Sequence, residues 1–261
     1  MANLFPRSAN FLPFKIAICL GAAVTGVVLA IGYYATDKTL AVGYQPDQPI
    51  AYDHALHAGK VGLDCRHCHS FVDKGGQANI PSANVCANCH AAGAANNAGV
   101  KSDSPKLKAL REALESEKPI RWVKVWDSPD YVYFDHSAHV NSGVSCKSCH
   151  GDIHKERVIF KSKAHTMGMC LECHNSPEDH IRPVEYVYDL DWNAKEHLTK
   201  TENAELLTKL NDWHKQRAVD NKKSVKLTER SSEKDYQKAF GLYLKDAHSV
   251  NPKISCQTCH N

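Results

Sequence analysis

One pentapeptide pattern, C-x-x-C-H, occurs five times in this chain of 261 residues. The copies are Cys65-Arg66-His67-Cys68-His69, Cys86-Ala87-Asn88-Cys89-His90, Cys146-Lys147-Ser148-Cys149-His150, Cys170-Leu171-Glu172-Cys173-His174 and Cys256-Gln257-Thr258-Cys259-His260. They use ten of the eleven cysteines and leave only Cys19. Random order at this composition would give well under about one copy. Two cysteines three apart lie on one side of a helical turn. Their thiols can add to the two vinyl groups of one haem, and the following His is carried under the iron as its proximal ligand. The pattern therefore predicts five covalently bound haem c groups and no disulfide. Zinc ribbons also use paired C-x-x-C units, but they need no His after each second Cys, and five units cannot pair evenly. A thioredoxin-like redox pair would need flanking strand–helix alternation, which no copy has.

Five irons call for up to five further ligands, and a second repeat offers them. Tyr52-Asp53-His54-Ala55-Leu56-His57 ends eight residues before Cys65, and Phe134-Asp135-His136-Ser137-Ala138-His139 ends seven before Cys146. His248 stands eight before Cys256, without an upstream His. This phasing predicts a module of distal His, short turn and haem-binding helix, with Gly59-Lys60-Val61-Gly62 and Asn141-Ser142-Gly143 as turns. Two histidines on one turn can address two different haems, so His54, His57, His136, His139 and His248 are the distal candidates. Met167, just before Cys170, is a candidate thioether ligand that would raise its haem's potential; alternatively it, like Met169, packs on a porphyrin face. His67, His154, His165, His180, His197 and His214 read as propionate partners or surface residues.

Ile16 to Tyr34 is an uncharged apolar run, about 28 Å long as a helix and enough to cross a bilayer. Arg7 and Lys15 precede it, so the arm 1–15 is expected in the cytoplasm and the remainder in the periplasm. The run exceeds the apolar core of a cleaved signal, for which Ala30-Ile31-Gly32 is the rival reading. Ala22, Gly26 and Ala30 form a small-residue stripe on which another helix could pack.

The fold class expected is mainly α with much irregular structure: a single transmembrane helix over 16–34 and a multihaem head. The head divides into a first dihaem module, 35–100, beginning with a stalk over 35–50; a helical and extended linker, 101–130; a second dihaem module, 131–182; a helical connector, 183–247; and the fifth site, 248–261. Ser104-Pro105 reads as an N-cap with Pro at N1, followed by a Leu107, Leu110, Leu114 stripe. Ile120 to Phe134 suits short extended pieces, and 91–100 reads as a loop. In the connector Thr199 and Glu202 suggest a capping box, and Leu206, Leu210 and Trp213 share a helical face. About 45 residues surround each haem, so the porphyrins must supply much of the core. Hydrophobic and charged contents of 43% and 23% exclude a disordered chain, and a formal charge of +3 gives no reason to invoke nucleic acid. Five ferric haems with ionised propionates would take that charge to about −2.

The stretch Val42-Gly43-Tyr44-Gln45-Pro46-Asp47-Gln48-Pro49-Ile50-Ala51-Tyr52-Asp53-His54, leading into the first motif, closely resembles the pentahaem cytochrome subunit of bacterial alternative complex III, a quinol-oxidising respiratory complex. Trp122-Val123-Lys124-Val125, the block from Tyr131 to His150, and Met167-Gly168-Met169-Cys170 share the resemblance, which weakens over about 184–247. It implies a periplasmic pentahaem head on one helix in the bacterial inner membrane. It implies as partners an iron–sulfur protein, two polytopic quinol-site subunits, a monohaem cytochrome c and small subunits, with a terminal oxidase downstream. It also implies one Met-ligated haem, for which Met167 matches.

The leading functional expectation is an electron-transfer subunit without a catalytic site of its own. A small anchored multihaem quinol dehydrogenase is the alternative, although its usual C-x-x-C-H-x-Met signature is missing where Ser70-Phe71 follow His69. A catalytic multihaem reductase often carries a C-x-x-C-Lys site, and every pair here ends in His.

Overall fold

The computed structural model describes residues 7–34, 41–94 and 99–260. The expected stalk residues 35–40 and loop residues 95–98 lie outside them. The described residues contain no sheet, only the isolated bridges Val132–His260 and Val144–Ile181. Within Ile120–Phe134, where short extended pieces are expected, no strand forms; Val132 makes the isolated bridge to His260 and bends and turns interrupt the rest.

Helix α1, Leu12–Tyr34, contains the apolar run and starts before it, after a 3-10 turn at Arg7–Phe11. Pro13 suits that first turn because no intrahelical donor is lost there. The span Ala9–Tyr34 has a mean hydropathy of 2.3, none of it is buried, and it is long and apolar enough to cross a membrane. Residues 41–50 are not a free stalk. Gly43 N donates to Lys161 O at 2.8 Å and Lys161 N to Tyr44 O at 2.9 Å. Gln48 makes a two-way bond with the Val123 backbone, at 2.8 and 2.9 Å.

Short helices then carry the motifs: α2, Cys65–Cys68; α3, Ala83–His90; and, after α4 at Lys108–Ser116, α5 at His136–Asn141, α6 at Cys146–His150 and α7 at Met167–Asn175. The Ser104 cap forms as expected, its hydroxyl accepting from Lys106 N ahead of a 3-10 turn that leads into α4, where Leu110 is buried. Side chains that cap the motif helices sit just before them: Asp64 accepts from Arg66 N, Ser145 from Lys147 N and Thr166 from Met169 N.

The connector contributes α8, Ala194–Thr199; α9, Ala204–Val219; and α10, Glu233–Ala247; the short α11, Cys256–Cys259, closes the chain. The conventional hydrophobic core lies here: Ile181, Ala194, Leu198, Leu210, Tyr236, Ala239, Phe240 and Leu244. By contrast, the second buried cluster, Val72, Val140 and Val187, is small. That asymmetry fits a head whose motif-bearing part is filled by porphyrin.

The expected Thr199–Glu202 capping box does not form. Thr199 ends α8 and its hydroxyl bonds back to Lys195 O at 2.7 Å, because Lys200 is already extended. The capping box is instead Ser232 with Asp235, at the start of α10. Helix α10 lies directly on the turn Pro177–Asp179, and Gly241 allows the approach, since a Cβ there would stand 1.9 Å from Glu178 O. The Glu178 carboxylate is buried. Burial opposes its ionisation, but Lys223 and Lys245 outweigh this and hold it below the usual carboxylate range.

Candidate functional site

The two sequence repeats fold into one repeated geometry. In the first, Tyr52 stacks on His57 with centroids 4.5 Å apart and meets His54 edge-on at 4.7 Å. In the second, Phe134 stacks on His139 at 4.7 Å and meets His136 edge-on at 4.8 Å. The intervening Asp organises each turn. Asp53 Oδ1 accepts from Leu56 N, and Asp135 Oδ1 accepts from Ser137 N and Ala138 N. The first repeat runs into a π turn at Ala55–Lys60, the second into the α-helix α5. Aromatic and Asp are thus part of the device. Both were visible in the repeated sequence, but their role needs the side-chain geometry.

Backbone carbonyls fix which imidazole nitrogen carries the proton. His57 Nδ1 meets Asp53 O at 2.8 Å, His139 Nδ1 meets Asp135 O at 2.7 Å, and His136 Nδ1 meets Gly76 O at 2.9 Å. Three of the five motif histidines follow the same rule: His69 Nδ1 with Asn79 O at 2.6 Å, His90 Nδ1 with Val100 O at 2.5 Å, and His174 Nδ1 with Lys253 O at 2.8 Å. A carbonyl only accepts, so each Nδ1 donates and each Nε2 keeps its lone pair. That is the second-shell arrangement that orients a neutral imidazole toward a metal.

The imidazoles also converge in pairs. Ring centroids of His57 and His90 are 6.2 Å apart, those of His136 and His150 6.5 Å, and those of His139 and His174 6.1 Å. Two imidazoles on opposite sides of one metal, with bonds of about 2 Å, place their centroids about 6 Å apart. His54 stands on the same turn as His57, its buried Nδ1 without a hydrogen-bond partner, and is the remaining candidate to face His69. Burial first, then the neighbouring His69 and His57, pushes the His54 pKa down to about 4. Burial, then His136, His69 and His165, does the same to His150, also to about 4. Both rings are therefore neutral at neutral pH, as ligation requires. Among the described residues no three His, Cys, Asp or Glu side chains gather as a metal-binding cluster. Convergence in twos suits an iron whose remaining four ligands come from a porphyrin. The donor set thus fits haem: Cys65, Cys68 and His69; Cys86, Cys89 and His90; Cys146, Cys149 and His150; Cys170, Cys173 and His174; and Cys256, Cys259 and His260.

The fifth site is built differently. His260 pairs in a bridge with Val132, and Tyr133 N donates to Cys259 O at 2.9 Å. The Tyr131 ring lies 5.8 Å from that of His260. His248 ends α10, exposed, and lines a small cleft with Asn141, Arg182 and Val250. Met167 is 63% exposed on the first turn of α7. The structure places neither against a motif His.

Other histidines take structural roles. His214 was expected at the surface or on a propionate, but it is buried; Val225 N donates to its Nδ1 and its Nε2 donates to Ala239 O. His197 packs among Tyr186, Trp192 and Phe240. His154 pairs with Asp191 at 3.0 Å, and His165 Nε2 meets Ser128 Oγ at 2.8 Å. His67 is exposed.

A family model described as "Cytochrome c7 and related cytochrome c" matches residues 132–205, which hold the third and fourth motifs. The "Menaquinone reductase, multiheme cytochrome c subunit" of Nitratidesulfovibrio vulgaris is 30% identical over 187 residues, covering 62% of this chain and 85% of that protein.

Proposed function

This chain belongs to the family of multihaem cytochrome c subunits represented by that relative, and on that premise we propose that it is the pentahaem subunit of a quinol-oxidising complex of the alternative complex III type. Its general role is that of a membrane-anchored multihaem c-type cytochrome in electron transfer. The observation that carries the finer reading is the set of three imidazole pairs, His57–His90, His136–His150 and His139–His174, in which every ring but that of His150 is oriented by a backbone carbonyl, an arrangement that leaves those sites closed to substrate. Bound haem supplies a one-electron iron couple at each site.

The fifteen motif residues hold five haem c groups. His54, His57, His136 and His139 complete four of them. At the fifth, Met167 is the proposed sixth ligand: it stands one turn before Cys170 on α7, and α7 is tied to the fifth motif by the bond from His174 Nδ1 to Lys253 O at 2.8 Å. His248 is the alternative. Helix α1 spans the bacterial inner membrane once, with residues 1–15 in the cytoplasm and the head in the periplasm. The proposed partners are an iron–sulfur protein, polytopic quinol-site subunits and a monohaem cytochrome c that passes electrons on to a terminal oxidase.

A second reading follows from the relative's name: the chain would deliver electrons toward menaquinone instead of taking them from quinol. Purification of the tagged chain from its native membranes separates the two. The first reading predicts the named partners and reduction of the chain's haems by added quinol. Retention with a soluble periplasmic donor, and haem oxidation by added quinone, would replace it with the second. Reduction of the isolated subunit by quinol would favour the small quinol-dehydrogenase alternative.

A further inference from the structure

We propose that the five attachment sites stand in one row whose order is not that of the sequence: second, first, third, fourth, fifth. This rests on the haem reading above. Each junction has its own geometry. The second and first sites are clipped by one turn, since His57 faces His90 while the same turn leads into the first motif, Leu63 N donating to His57 O at 3.0 Å. The first and third sites are joined because the loop after α2 lends its Gly76 carbonyl to His136, at 2.9 Å to Nδ1 and 3.3 Å to the backbone N. Arg66 of the first motif lies over the Tyr188 ring at 4.4 Å, and the adjacent Val187 O accepts from Ser145 Oγ, just before Cys146, at 2.9 Å.

The third and fourth sites are clipped by α5, whose His136 faces His150 and whose His139 faces His174. The fourth and fifth are tied by the bond from His174 Nδ1 to Lys253 O, three residues before Cys256. Exposure agrees independently. Cys89 of the second site and Cys256 of the fifth are the exposed motif cysteines, whereas all six thiols of the first, third and fourth sites are partly covered. The second and fifth sites are therefore the two ends of the row, where a redox partner can approach.

The test is a redox titration of the full haem-loaded chain in detergent, followed by the separate low-spin EPR signals of each haem. Replacing a distal His by Met raises the potential of that haem, so it is reduced first. The electron it then holds lowers the potentials of its immediate neighbours by Coulomb repulsion, which falls with distance. Counting displaced signals therefore counts neighbours. The proposed row predicts two displaced signals for His54→Met at the first site and one for His57→Met at the second. A row in sequence order predicts the reverse and would overturn the proposal, as would equal counts. His136→Met gives an independent reading if His54→Met loses its haem: it should displace the first-site and fourth-site signals and leave the second-site signal, identified by His57→Met, in place. Intact mass separates the two failures. Fewer than five haems on the wild-type chain overturns the haem reading itself, whereas five haems with the wrong count of neighbours overturns only the order.

Discussion

The rings of His136 and His150 lie parallel, 7° apart in plane and 6.5 Å between centroids. His136 belongs to α5 and His150 ends the third motif, and His136 is held by Gly76 O from a third segment. With His136 as the proposed distal ligand of the third site, removing its ring would open one iron. His136→Ala should convert about one fifth of the low-spin ferric signal to high-spin and create carbon monoxide binding at one haem. An unchanged low-spin spectrum would mean that another residue ligates that iron.

Met167 carries the claim about the fifth site. Met167→His should lower the potential of one haem and, besides it, displace only the neighbouring fourth site, because a thioether raises potential relative to imidazole. If no midpoint moves in this variant but one moves in His248→Met, His248 is the ligand.

The connector should weaken when its closest backbone approach is filled. Gly241→Ala places a methyl against Glu178 O, in a region with no slack, and should cost about 1–3 kcal/mol. Denaturant unfolding followed by tryptophan fluorescence, with Trp192 and Trp213 both in this region, reads the loss. A midpoint equal to that of the wild type would show that α10 is free to move away.

His214 makes the same region sensitive to acid. Burial pushes its pKa below the ordinary 6.5, the bond to Ala239 O opposing this and Arg217 adding to it. The unfolded chain then binds a proton that the folded chain refuses, so stability rises with pH in that window. It is complete above about pH 6.5 and falls as pH drops, by at most about 1.4 kcal/mol per pH unit. Trp213, whose ring lies 4.7 Å from that of His214, reports it. His214→Gln should flatten the slope between pH 7.5 and 5, and an unchanged slope would assign it to another group.

The motifs and both histidine repeats were legible because covalent attachment demands fixed residues at fixed spacing. The Ser104 cap and the Leu110 face followed from local rules that act within a few residues. What escaped depends on contacts distant in sequence. His214 looks like any polar residue until Val225 and Ala239 close on it. The ordering of Gly76 beneath His136 spans 60 residues, and no spacing rule reaches that far. The Thr199 box failed for a local reason: Lys200 leaves the helix first, and the true S-x-x-D signal lay at Ser232. Residues 41–50, read as stalk from their prolines, are pinned by Gln48 and Lys161.

In the proposed function one polypeptide holds five covalent haems on an intact membrane helix. The direct measurement is the mass of the denatured, purified chain, since thioether-linked haem survives denaturation and metal ions do not. The expected mass is that of the full-length polypeptide plus five haems. A bare polypeptide mass would contradict it, and five haems on a chain shortened near Gly32 would keep the cytochrome but remove the anchor.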